Sequence, residues 1–224
     1  MAVVEALLPL LVAYAAGCIS FAGLVARLHG VDIRKHGSGN PGATNVGRLL
    51  GRGWGTAVLA LDVLKGLLPV LLLRLDAPLS VSAWIADADG RVLILAAAVA
   101  GHVLPVTSRF RGGKGVATWL GGLFGFSWEL GVVALVVHVL VRRLSGYVSL
   151  ASVSMAWAAP LAAAGWTIAG MAAPPGGIVV LAALAMLITL RHAENFGRIR
   201  SGTESRHGQR APIDTPRASH TDGS

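Results

Sequence analysis

Three polar clusters interrupt an otherwise apolar chain, and their residue types suit the holding of phosphorylated molecules. The first runs Asp32-Ile33-Arg34-Lys35-His36-Gly37-Ser38-Gly39-Asn40-Pro41-Gly42-Ala43-Thr44-Asn45-Val46-Gly47-Arg48. Glycines let a backbone turn successive N–H groups toward one anion. Ser38, Asn40, Thr44 and Asn45 add side-chain donors, and the Arg48 guanidinium is a fork suited to phosphate. Arg34 and Lys35 are equally well explained as charges that fix membrane topology. The uncharged run from Gly37 to Asn45 is not, because topology needs no serine, threonine or asparagine. The G-x-G-x-x-G at Gly37, Gly39 and Gly42 is not a dinucleotide fingerprint, which must leave a strand and open a helix in a βαβ unit. Here an apolar helical run precedes it.

The second cluster reads Gly101-His102-Val103-Leu104-Pro105, then Arg109-Phe110-Arg111-Gly112-Gly113-Lys114-Gly115-Val116-Ala117-Thr118. Lys114 lies among glycines where a helix should start, and a helix N-terminus attracts anions through its free N–H groups and dipole. A P-loop is excluded, since Ser108 occupies the place of its first glycine and Gly115 follows the lysine. His102 reads equally as a site residue or as an interfacial histidine. The third cluster is split between Ser149 and Ser152, early in one apolar run, and Arg191, His192 and Asn195, at the end of another. Ser149 reads as a helix cap; His192 and Asn195, three apart, would share a helical face. Asp62 and Lys65, also three apart, sit inside an apolar run, where ionisable residues mark either a mutual pair or a functional role. The clusters offer cations and donors, with no carboxylate pair arranged for a metal; a cofactor is not expected.

The elements that must position these residues follow from composition. The chain has 224 residues, 54% hydrophobic and 13% charged, against about 25% charged in a soluble domain. The net charge of +8 punctuates apolar runs, which points to membrane orientation and away from nucleic acid. Cys18 is the only cysteine, so neither an internal disulfide nor a cysteine zinc cage is available. Ala15-Ala16-Gly17-Cys18 has the look of a lipoprotein cleavage site, but the segment before it carries Glu5 and no basic residue, so a retained helix is expected.

A spanning helix takes about 20 apolar residues. Ala6–Leu28, Gly55–Leu73 and Val148–Ala169 qualify, and Val92–Val106 and Ile178–Leu190 are shorter. Val116–Val141 is one helix or two, broken near Phe126-Ser127-Trp128-Glu129. Two spans with an external N-terminus leave only Lys65, Arg74 and Arg91 of the nineteen basic residues off the inner side; one span would expel Arg142, Arg143 and the basic tail. The positive-inside rule therefore predicts an all-α membrane protein of seven spans, N-terminus outside and C-terminus cytoplasmic. The fourth and fifth helices would be short, about 18 Å at about 1.5 Å per residue. Residues 1–204 form the membrane domain, and 205–224 a disordered basic cytoplasmic tail.

The motifs resemble one family throughout. Gly37-Ser38-Gly39-Asn40-x-Gly42-Ala43-Thr44-Asn45-x-x-Arg48 is similar to its first signature, Gly101-His102-x-x-Pro105 through Thr118 to its second, and Arg191-His192-x-x-Asn195 with Gly202-Thr203-Glu204 to its third. Leu61-Asp62-x-x-Lys65-Gly66 and Tyr147 to Ser152 fit as well. The family is the bacterial acyl-phosphate:glycerol-3-phosphate acyltransferases of the PlsY type. The resemblance covers residues 14–204; Ser20, where relatives usually carry proline, and Phe196, for isoleucine, depart from it. It implies acyl transfer from acyl phosphate to the 1-hydroxyl of glycerol 3-phosphate at the cytoplasmic face of the inner membrane, yielding lysophosphatidic acid for phospholipid synthesis. It also implies that Ser38, Arg48, Lys114, Ser152, His192 and Asn195 hold glycerol 3-phosphate, with Thr44 nearby.

The remaining residues agree with that chemistry. Acyl phosphate is already activated, and neither a G-x-S-x-G elbow nor an H-x-x-x-x-D pattern is present. Catalysis then falls to positioning two mutually repelling phosphates and to donors aimed at the developing oxyanion. His192, Asn195 and Lys114 are the expected catalytic residues, Asn195 or Thr44 serving the oxyanion and His192 or a substrate phosphate taking the proton. Ser38, Gly39, Asn40, Thr44, Asn45, Arg48, His102, Gly112, Gly113 and Ser152 are the expected binding residues. Acyl phosphate, glycerol 3-phosphate and the bilayer are the expected partners. A phosphate transporter would want inverted repeats, and a CDP-alcohol phosphotransferase an aspartate cluster; neither pattern is found.

Overall fold

The structure, a computed structural model, describes residues 2–74, 88–171 and 175–206. Among these every regular element is helical: α1 (Ala2–Gly17), α2 (Phe21–Leu28), α3 (Ala43–Leu50), α4 (Arg52–Arg74), α5 (Ala88–Val103), a 3-10 turn (Val106–Ser108), α6 (Val116–Phe126), α7 (Trp128–Ser145), α8 (Val148–Ile168), α9 (Pro175–Leu190) and α10 (Ala193–Arg200). Leu7–Leu28, Arg52–Leu72, Gly90–Ser108 and Val148–Ile168 are long and apolar enough to cross a membrane; Gly177–Leu190 with Ala193–Arg200, bent by 50°, is a fifth span if the pair is taken as one. Leu11, Leu28, Leu72, Leu161, Ile168 and Val179 face outward, as lipid-facing residues of a membrane bundle do.

The expected break at Ser127 is present. Ser127 closes α6 and opens α7, its hydroxyl accepting from Leu130 N at 3.3 Å. The short α6, 11 residues or about 16 Å, agrees with expectation. The fifth expected span does not. It runs 18 residues as α7, because Arg142 and Arg143 stay helical until Gly146, with φ 78°, ends the helix. The first span is also not one continuous helix. Ser20 caps α2 by accepting from Gly23 N at 3.2 Å, while the freed Ile19 carbonyl accepts from Lys65 Nζ at 2.7 Å.

Two glycine seams bring backbones together. On the α1–α5 seam a methyl at Gly17 would meet the Ala98 carbonyl, and one at Gly101 the Tyr14 carbonyl. On the α4–α6 seam the same holds for Gly66 against the Thr118 carbonyl and Gly121 against that of Val63. Lipid gives helices no hydrophobic reason to associate, so close backbone packing through small residues is what joins them. Around these seams Ile94, Leu95, Trp119, Leu123, Met155, Leu181 and Ile188 form the main core. A second cluster of Ala22, Val25, Ile33, Val46 and Val58 seats α2 and α3 on α4 and so anchors the first polar loop.

Of the tail expected from Ser205, residues 207–224 lie outside the described residues; Arg206 places its guanidinium 5.4 Å from the Tyr147 ring centre.

Candidate functional site

The α6 N-terminus organises the site. Gly115, with φ 82°, caps α6 in a left-handed conformation that suits glycine. The N–H groups of Lys114 and Gly115 have no acceptor among the described residues, and the first N–H groups of any helix lack intrahelical partners. The Lys114 ammonium donates to Asn195 Oδ1. Asn195 Nδ2 donates to Glu204 Oε1 at 2.6 Å, which also accepts from Ser149 Oγ at 2.9 Å; Arg198 Nε donates to Glu204 Oε2 at 2.8 Å. Gly202, with φ 72°, makes this possible by turning the chain back after α10 so that Glu204 faces Asn195.

The electrostatics follow from burial and neighbours. Burial, then the nearby Arg198 guanidinium, brings the Lys114 pKa down to about 8, with Glu204 countering. Burial and the Lys114 charge push His192, just past the end of α9, down to about 4. Burial alone would raise Glu204, but hydrogen bonds from Asn195, Arg198 and Ser149 outweigh it and hold the carboxyl below its usual range. At neutral pH the site therefore holds a charged Lys114, a neutral His192 and an ionised Glu204. His192 Nδ1 lies 2.8 Å from the Ile188 carbonyl; a carbonyl only accepts, so Nδ1 carries the proton and Nε2 keeps its lone pair.

Several expectations change here. His192 and Asn195 do not share one helix: the chain turns at Arg191-His192, His192 precedes α10, and Asn195 lies in its first turn. Ser149 is not a cap, since its hydroxyl donates to Glu204 and Tyr147 opens α8. Ser152 donates to the Val148 carbonyl at 2.8 Å, leaving it an acceptor toward the site. The Gly112 and Gly113 N–H groups are engaged by the carbonyls of Val103 (3.2 Å) and His102 (3.0 Å), so the free donors begin at Lys114. Asn45 is fully engaged with its own loop, accepting from Ser38 N and donating to the carbonyls of Ile33 and His36. Gly39 N donates to the His36 carbonyl and Gly42 N to that of Asn40. Asp62 and Lys65 form a mutual pair at 2.8 Å, both side chains 4% exposed.

The first loop meets the second through Arg34 Nη2, which donates to the Arg111 carbonyl at 2.6 Å. Asn40 is half-buried and Ser38 and Thr44 are exposed; Arg48 is half-buried one turn beyond Thr44 on α3. No hydrogen bond or ion pair joins these residues to Lys114 among the described residues. Sequence reasoning gives no role to Glu204 or Arg198, nor to Arg191, whose Nη2 and Nε donate to the carbonyls of Gly112 (3.0 Å) and Gly113 (3.3 Å). Their signal is present in the run from Arg191 to Glu204, but only the fold says which atoms meet. The loop tip before Gly112 is strained: Arg109 (φ 52°) and Phe110 (φ 61°) are left-handed non-glycine residues, a conformation that gathers at functional sites.

A helical bundle with spans of membrane length, and a half-buried cation beside free N–H groups at a helix N-terminus, define an integral membrane protein with a site suited to anions. The chain belongs to the glycerol-3-phosphate acyltransferase family, whose model matches residues 7–202. It is 40% identical over 205 residues to the glycerol-3-phosphate acyltransferase of Photobacterium profundum, covering 91% of this chain and 94% of that one. With the Geotalea daltonii protein of the same name it is 44% identical over 195 residues, 86% and 93% covered. Among solved structures it is similar to PlsY (YgiH), an integral membrane glycerol 3-phosphate acyltransferase, in its glycerol 3-phosphate form, with TM-score 0.79, 38% identity and coverage of 91% and 96%. The lysophosphatidic acid form of PlsY gives TM-score 0.77 at 37% identity, with coverage of 91% and 95%. The chain is thus a membrane acyltransferase of phospholipid synthesis.

Proposed function

We propose that this chain uses acyl phosphate as donor, placing the acyl group on the 1-hydroxyl of glycerol 3-phosphate and releasing phosphate. One observation carries the reading: a half-buried Lys114 ammonium stands beside unbonded N–H groups at the α6 N-terminus, held through Asn195 and, among the described residues, not directly by a carboxylate. Such a cation has capacity left for phosphate oxygens. The motifs that resemble acyl-phosphate-dependent enzymes supply the donor, and the ligands named for PlsY, glycerol 3-phosphate and lysophosphatidic acid, match the acceptor and product.

Transfer is direct in this reading. The buried serines Ser149 and Ser152 both donate elsewhere, so neither is activated as a nucleophile. Ser38, Arg48, Lys114 and Ser152 hold the glycerol 3-phosphate, with Thr44 and Asn40 beside it. The lone pair of His192 Nε2 accepts the hydroxyl hydrogen bond and orients the attacking oxygen. With a pKa of about 4, His192 keeps little hold on a proton at neutral pH, and a phosphate oxygen takes it. The hydroxyl oxygen bonds to the acyl carbon, the carbon–oxygen bond to phosphate breaks, and Lys114 with Asn195 meets the charge that develops. Gly39, Gly112 and Gly113 shape the walls. Asn45 fixes the first loop.

The same reading completes the topology. Seven spans are α1 with α2, then α4 to α9, with the N-terminus outside and the C-terminus cytoplasmic in a bacterial inner membrane. That arrangement gathers both polar loops and the Arg191–Glu204 segment on the inner face, in keeping with the basic residues there.

The test is acyl transfer by the purified protein in lipid, given palmitoyl phosphate and labelled glycerol 3-phosphate, with palmitoyl-CoA as competing donor. Labelled lysophosphatidic acid from palmitoyl phosphate alone supports the reading. Product from the thioester overturns the donor assignment, and no product from folded protein overturns the reaction.

A further inference from the structure

The Gly112–Gly113 strip that delivers Lys114 is held between two side chains. From one side Arg191 grips both of its carbonyls. From the other the strip lies on His102, whose own carbonyl accepts from Gly113 N at 3.0 Å. The contact is close: a Cβ on Gly113 would run into His102 Nε2, with Cδ2 and Cε1 at 3.1 Å. His102 is itself braced from behind. Its Nδ1 lies 3.2 Å from Thr118 Oγ1 and 3.8 Å from Asp62 Oδ1, and Asp62 is tied to Lys65, which reaches the Ile19 carbonyl.

His102 is buried, with Nδ1 engaged by Thr118 and the Nε2 edge of the ring lying against Gly113. Arg191 is largely exposed, so the rigid side of the clamp is the histidine.

We propose that His102 is a positioning residue: its ring is the spacer on which the Gly112–Gly113 strip rests, and it sets where the Lys114 ammonium stands. Gly113 is glycine because of His102 beneath it, not because a substrate approaches from above. The proposal rests on the acyl-transfer reading, within which a misplacement of about 1 Å at a site can cost roughly 100-fold in rate.

The experiment is a size exchange. Gly113→Ala, His102→Ala and the double variant are compared for kcat and KM in lipid, with thermal unfolding as the check on folding. Gly113→Ala is expected to lose about 100-fold in kcat/KM. The double variant is expected to regain roughly tenfold over Gly113→Ala, since the space the methyl needs has been made. Losses that multiply overturn the proposal.

If Gly113→Ala does not fold, His102→Ala alone decides through its pH profile. The alkaline limit set by Lys114, near pH 8 in the parent, should move up as the loosened strip lets water reach the ammonium. An unmoved limit with lowered kcat overturns the proposal. Parent protein that makes no product defeats the acyl-transfer reading instead. The same variants are then ranked by calorimetric binding of glycerol 3-phosphate: weaker binding by Gly113→Ala, restored in the double variant, sustains the spacer role, and no restoration removes it.

Discussion

The molecule sets two lysines near carboxylates, Lys65 buried and Lys114 half-buried, and they are arranged in opposite ways. Lys65 faces Asp62 directly, one turn away on α4, and gives its remaining reach to the Ile19 carbonyl. Lys114 meets its carboxylate only through an amide: Asn195 stands between the ammonium and Glu204. The first arrangement cancels charge and joins α4 to the α1–α2 break. The second keeps the carboxylate close enough to hold the geometry and too far to fill the coordination of the cation. A carboxylate nearby therefore does not distinguish a structural lysine from one left free to meet an anion. The partner it touches first does.

The sharpest way to break this comparison is to remove each cation. Lys114→Ala should lower kcat/KM by about 10³, the upper range for one electrostatic group, with the unfolding temperature little changed. Steady-state kinetics beside a thermal melt reads both. Asp62→Asn should act chiefly on stability. It leaves Lys65 unpaired in a low-dielectric core at a cost of about 3–5 kcal/mol, while replacing both partners, Asp62→Leu with Lys65→Met, should be nearly neutral to stability. Chemical unfolding in mixed micelles measures the difference; a double variant as unstable as the single one would count against a purely structural pair.

A pH series sharpens the comparison further. Lys114 must be protonated to hold phosphate, so kcat/KM should fall as pH rises through about 8. Its folded pKa lies below the unfolded value of about 10.4, so over that interval the unfolded chain binds more protons and stability rises with pH. Activity and stability should thus move in opposite directions, and Lys114→Ala should abolish the stability rise. Bound phosphate lifts the lysine pKa, which places the limit for kcat above that for kcat/KM. The smallest effect is expected at Ser152. Its hydroxyl already bonds the Val148 carbonyl, and Ser152→Ala should cost about 1 kcal/mol, read as a modest rise in KM for glycerol 3-phosphate.

Much of this architecture is legible in the residues themselves. The break at Ser127, the helix opening after Lys114 and the spans of α4 and α8 follow from apolar periodicity and turn chemistry, which are local. What stays hidden depends on partners far along the chain. The α1–α2 break is held by a lysine 46 residues away, a partner that the run from Ala6 to Leu28 does not reveal. The octapeptides α3 and α10 are only about two turns long, too short for apolar periodicity to set them apart from loops. Asn45 and the Gly112–Gly113 strip have the composition of a ligand cradle, yet their groups bond inward. Residue type reveals that a donor exists, and only the fold reveals whether it is already engaged.

The glycine seams bear on how such a protein lives in a changing membrane. Cells remodel their lipids as temperature shifts, altering thickness and lateral pressure around every embedded helix. At Gly17, Gly101, Gly66 and Gly121 main chain meets main chain, with no rotamers between to readjust. The frame that carries Lys114 and the residues beneath it is therefore pinned by contacts of fixed length, insulating the reaction centre from the fluidity of the bilayer it helps to build.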